Sequence, residues 1–131
     1  MSRVICRRLR RGEDLLESIK TIAKEERLLG AVVLSAVGCL SQARLRDASG
    51  VGIRELERRM EIVSLTGTVS QTRCHLHISL SGEDLQTIGG HLVTGCMVNT
   101  TCELVLMETG YVYGAEDDPE TGYREIVFWE E

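Results

Sequence analysis

The chain of 131 residues contains three histidines, and all three fall in one stretch, CHLHISLSGEDLQTIGGHLV, from Cys74 to Val93. On a strand, residues two apart share a face. The run RCHLHISL therefore sets Arg73, His75, His77 and Ser79 on one side, and Cys74, Leu76, Ile78 and Leu80 on the other. The second set is apolar and belongs to a core. The two histidines are then neighbours on the polar side, roughly 6–7 Å apart at Cα. A hairpin turn centred near Asp84 pairs residues whose numbers sum to about 168, which puts His91 opposite His77, with Cβ atoms about 4.5–5.5 Å apart. A slip of one residue aims His91 at the other face and dissolves the cluster. Gly89 and Gly90 offer a bulge that re-aims it.

Three neutral imidazoles with an open fourth position are the ligand set of catalytic zinc and related divalent ions. The alternative is two exposed histidines and one loop histidine, each hydrogen-bonded separately. Metal-bound imidazoles commonly donate their second N–H to a carboxylate or carbonyl. Glu61, Glu83 and Asp84 are the candidates for that place. Glu61 is also the candidate catalytic acid/base beside such an ion. Its other reading is an ion pair with Arg58, Arg59 or Arg73. Other chemistries lack residues: GTVS and SLSG are not nucleophile elbows, and no Walker or G-x-G-x-x-G sequence occurs. Zinc-finger, homeodomain and aromatic RNA-binding signatures are also missing.

The elements that must position these residues are mostly strands. VICRRL reads as a short strand. GEDLLESIKTIAKEERL is the clearest helix, with Leu15, Leu16, Ile19, Ile22 and Ala23 at helical spacing, acids in its first turn and Gly30 as its stop. In AVVLSAVGCLSQARLR a continuous apolar half gives way to an alternating half, with Gly38 as a bend or bulge between them. DASGVGI and DPETGY are turns. Extended segments follow Met60, cover CHLHISLS, QTIGGHLV and TTCELVLMETG, and close the chain at REIVFW. The sum is one domain over residues 1–131, of α+β class: a mostly antiparallel sheet of about seven strands flanked by one strong helix and two weaker ones.

Composition narrows the setting. At 43% hydrophobic and 27% charged the chain reads as globular, and at 4% aromatic its core rests on aliphatic side chains. Five cysteines without a C-x-x-C pair suit reduced thiols of a cytoplasmic protein, or a nuclear one in a eukaryote. The N-terminal arginines leave no apolar core for a signal peptide, and no run is long enough to span a membrane. A net charge of −5 argues against a wholly phosphate-binding surface. Basic residues nevertheless cluster at Arg3, Arg7, Arg8, Arg10 and Arg11, and again at Arg54, Arg58 and Arg59, as solvated faces or as nucleic-acid contacts.

The chain resembles the PPC (plant and prokaryote conserved) domain over most of its length. RMEIVSLTGTVS and HLHISLSGEDLQTIGGHLVTGCMV carry the likeness most specifically, supported by RRGEDLLESIKTIAKEE, SAVGCLSQARLR, ELVLME and DPETGYREIVF. The resemblance implies an antiparallel sheet flanked by helices, a homotrimer, and a divalent metal, zinc foremost, on residues matching His75, His77 and His91. The fold is also similar to that of α-acetolactate decarboxylase, although a shared fold does not transfer a reaction. Plant members reach DNA through a separate Arg-Gly-Arg-Pro motif, which this sequence lacks. Their Gly-Arg-Phe-Glu-Ile-Leu motif, used in partner or subunit contacts, is altered here: Met60 stands in place of Phe and Arg58 in place of Gly.

Two function classes follow. One is a trimeric metal-binding module of regulation or assembly, with weak DNA contact through the N-terminal arginines. The other is a metal-dependent hydrolase or lyase on a small carbonyl-containing ligand, with Glu61 as acid/base.

Overall fold

The computed structural model describes residues 3–131. In chain order its elements are β1 (Val4–Arg10), α1 (Leu15–Glu25), β2 (Ala31–Arg46), β3 (Ile53–Leu56), β4 (Met60–Val69), β5 (Cys74–Ser81), β6 (Thr87–Leu92), β7 (Met97–Glu108), β8 (Tyr111–Asp117) and β9 (Arg124–Glu130). Seven strands form one antiparallel sheet, in the order β1-β7-β2-β4-β5-β6 with β3 also on β2. β8 and β9 form a separate two-stranded ladder. Among the described residues α1 is the one α-helix, so the expected flanking helices reduce to a single one. No helix there is long and apolar enough to cross a membrane.

The long strand β2 organises the sheet. It pairs with β7 over most of its length and with β4 at Ala31 and Val32 and again at Cys39 and Leu40. Its last residues, Leu45 and Arg46, pair with Leu92 and His91 of β6. β6 thus returns to the strand from which β4 and β5 led away, and β2, β4, β5 and β6 close into a ring. Register shifts at Val33/Ser35, Gly38/Cys39 and Leu40/Gln42 bend β2 along the way. Gly38 is required at that bend, because a Cβ there would lie 2.2 Å from the Thr101 carbonyl oxygen.

The core alternates as the pleat dictates. Leu76, Ile78 and Leu80 of β5 are buried with Leu65 and Val69 of β4, Leu40 of β2, and Leu104 and Leu106 of β7. The apolar stripe of α1 (Leu15, Leu16, Ile19, Ile22, Ala23) joins the same cluster. Removing buried leucine atoms here leaves a cavity as well as losing burial.

α1 begins at Asp14, whose carboxylate accepts from the Glu17 N–H at 2.9 Å and from the Gly95 N–H at 2.7 Å. One side chain therefore caps the helix and ties it to the loop after β6. Replacing Asp14 by alanine should cost about 2 kcal/mol, read as a lower midpoint in thermal or urea unfolding. The helix ends earlier than Gly30. Arg27 takes the left-handed position at φ 53°, and the Leu28 N–H closes on the Ala23 carbonyl. Gly30 serves packing instead: a Cβ there would meet the Tyr111 carbonyl oxygen at 2.2 Å and the Tyr113 ring at 2.7 Å.

Candidate metal centre

His75 and His77 project from the outer face of β5, opposite the buried Leu76 and Ile78. The β5–β6 ladder runs without a register shift from Ser81/Thr87 to His77/His91. Gly89 and Gly90 are therefore not a bulge. They let neighbouring backbone approach: a Cβ would lie 2.5 Å from the Ile78 carbonyl oxygen at Gly89 and 2.8 Å from that of Arg46 at Gly90.

The three imidazoles converge. Ring centroids are 5.2 Å apart for His75–His77 and for His75–His91, and 5.5 Å for His77–His91. One nitrogen from each ring lies within 4.8 Å of the other two. On the β4 side, Thr66 and Thr68 pair with His77 and His75, and Gly67 between them lets the strands close up. His91 is held on both sides, by His77 of β5 and by Arg46 of β2.

The electrostatics favour the neutral form of His75 and His91. Burial, then the Arg46 guanidinium and the neighbouring rings, push His91 down to about 4. Burial, then Arg73, His77 and Arg46, also lower His75. Unprotonated imidazole is the state that binds a metal. The Nδ1 of His91 is buried with no hydrogen-bond partner, although buried polar atoms are ordinarily paired. Three converging imidazole nitrogens, on rings that include one with an unsatisfied buried nitrogen, fit a zinc-like ion.

The carboxylates named from the sequence lie elsewhere. Glu61 is exposed and pairs with Ser81, four residues along β5 from His77, or about 13 Å by strand rise. Glu83 and Asp84 sit in the turn beyond Ser81, where Asp84 accepts from the Gln86 N–H at 3.0 Å. Asp47 lines a cleft with His77 and His91, and Glu125 of β9 lines one with His75 and His91. Spacing along β4 to β6 carried no sign of Glu125, because β9 is remote in the chain.

The N-terminal arginines divide. Arg3 bonds Glu108 at 2.7 Å and Glu26 at 3.0 Å, and Arg7 bonds Glu26 at 2.9 Å. Arg8 and Arg10 alternate onto the other side of β1. All five cysteines are free thiols, and burial raises Cys96 and Cys102 to about 11.

Comparison with known proteins agrees with this architecture. The bifunctional protein GlmU of a Synechococcus strain is 42% identical over 120 residues, covering 91% of this chain but 19% of that protein. The chain thus spans about a fifth of the length of the GlmU relatives it matches. A hypothetical protein from Salmonella superposes with a TM-score of 0.96 at 28% identity, covering 99% of this chain and 95% of its own. A protein of Archaeoglobus fulgidus described as metal-containing superposes with a TM-score of 0.80 at 28% identity, covering 95% and 93%. The profile of the Plants and Prokaryotes Conserved (PCC) domain matches residues 1–110, and with the ringed sheet and its histidine face this chain belongs to that family.

Proposed function

We propose that this chain is a divalent-metal-binding domain in which His75, His77 and His91 hold one zinc-like ion with a position left open for a ligand. The observation that carries this reading is the convergence of three imidazoles on one face, two of them held neutral by their surroundings. The metal-containing relative from Archaeoglobus fulgidus supports it. When bound, such an ion supplies Lewis acidity at the open position. The chain's own contribution is orientation, since each histidine is fixed by a ladder partner on at least one side.

The assembly proposed is a homotrimer. Leu34 and Val37 of β2 and Val63 of β4 are 55%, 55% and 58% exposed, a run of apolar side chains that a second copy would cover. A hydrolase or lyase acting on a small carbonyl-containing ligand is the second reading, favoured by the cleft of about 490 Å³ beside the rings. In it Glu61 would have to act from a neighbouring subunit, given its distance from the rings of its own chain. Regulation through DNA is less well served, since Arg3 and Arg7 are already paired within the chain.

Elemental analysis of the purified protein, with sedimentation of the same sample, tests the reading. One equivalent of metal per chain and a trimer are expected, with metal lost in His77→Ala. A metal-free parent, or unchanged stoichiometry in the variant, sinks the site; a monomer sinks the assembly.

A further inference from the structure

Arg46 and Arg73 stand beside the histidines without a task. Arg46 pairs across the ladder with His91, so the two side chains share a face. Its Nε is buried and has no hydrogen-bond partner. Arg73 lies two residues before His75 and is half-buried. Among the described residues neither guanidinium has a carboxylate within ion-pair distance. A buried charged donor without an acceptor is costly, and native structures rarely keep one without a ligand, ion or water to satisfy it.

Both arginines open onto the same cleft of about 490 Å³, whose walls include His75, His91, Tyr123 and Glu125. Arg124 also borders it, but is already committed to Asp117 at 3.2 Å and to the Ala115 carbonyl at 2.8 Å. The uncommitted charge is therefore two guanidiniums against one carboxylate. The turn after β2 forms the rim, braced by Asp47 accepting from the Ser49 N–H at 2.9 Å.

We infer that this cleft binds a small acidic ligand, whose carboxylate or phosphate group is held by Arg46 and Arg73 while the rest of the molecule faces His75 and His91. The inference deepens the metal reading, on which it rests for the ligand's second anchor. The planar guanidinium fork matches either oxyanion. Glu125 accepts only, so it suits a hydroxyl donor elsewhere on the ligand. The volume fits a small molecule, and the overall charge of −5 disfavours a polyanion.

Calorimetric titration of glycerol 3-phosphate and of glycolate, into zinc-loaded and metal-free protein, tests this, with zinc content measured in every sample. At least one probe should bind, more tightly with zinc present. Arg46→Gln and Arg73→Gln should each weaken it about 10-fold or more while keeping the zinc, and Arg8→Gln on β1 should change nothing. Arg73→Gln keeps the test decisive if Arg46→Gln does not fold. Zinc uptake without binding of either probe overturns the inference and leaves the metal reading intact. Undiminished binding in both arginine variants overturns it too, as does a duplex DNA oligonucleotide that binds through the same arginines more tightly than either probe. Probe binding with the expected arginine dependence but no zinc uptake supports the oxyanion site and removes the metal reading alone.

Discussion

At pH 7.5, zinc held at a hundredfold excess over its dissociation constant should raise the thermal midpoint by about 10 °C. Binding to the folded state alone at that excess is worth about 2.7 kcal/mol, and a domain of this size gains a few degrees per kcal/mol. A chelator should reverse the shift, and His77→Ala should show none of it. The pH dependence identifies the ligands. An imidazole titrating at its ordinary 6.5 is mostly protonated at pH 5.5, so three of them would release close to three protons per zinc. His91 is held near 4 and His75 is also lowered, so fewer than two protons should be released at that pH. Calorimetry in buffers of different ionisation enthalpy counts them, and a value near three would contradict the arrangement. The metal-free protein carries the complementary sign. An unfolded histidine takes up a proton below 6.5, whereas folded His91 does so only near 4. Stability should therefore be full above about pH 6.5 and fall as the pH drops from there toward 4.

Gly67→Ala should be the most damaging small change in the histidine sheet, costing about 3–5 kcal/mol. Gly67 lies on β4 between the partners of His75 and His77, with φ at +149°. A Cβ there would stand 2.0 Å from the His75 carbonyl oxygen and 2.8 Å from the Leu76 Cα, both backbone atoms of the neighbouring strand. Neither can turn aside as a side-chain tip could, so β4 and β5 must separate. For a marginally stable domain such a loss approaches the whole folding free energy. Gly110→Ala is the control: its φ is +81° but nothing lies near the added atom, so only the backbone term applies, about 1–2 kcal/mol. Urea midpoints of the two variants separate the steric part from the conformational part. Equal losses would show that the close approach at Gly67 is unimportant.

The histidine hairpin was legible because its information is local. Alternation set the faces of β5, and a short turn fixed the sum of paired numbers that puts His77 opposite His91. The helix was legible for the same reason, from five apolar residues at helical spacing. Its end was not, because Arg27 adopts a conformation that glycine usually supplies. The alternation in QARLR sets Arg46 opposite the buried Leu45, but nothing in the chain between residues 46 and 91 announces that it meets His91. That contact depends on a strand closing across the sheet, and such non-local pairing leaves no period in the sequence. β8 has no clear signal in YVYGAED, where Gly114 and two acids follow a short apolar start, and its partner is β9 alone. Residue type and strand character point to Glu61, but the register of β4 places it at the far end of β5.

The return of β6 to β2 bears on error as well as on geometry. An isolated hairpin can slide by two residues and still hide its oily side, at the cost of a few ladder bonds. A strand clasped by two different neighbours has no such freedom, because any shift that suits one partner spoils the other. Rings mounted on such a strand are set before an ion arrives, so capture should need little rearrangement of the chain, and its speed should follow the rate at which ions shed water and arrive.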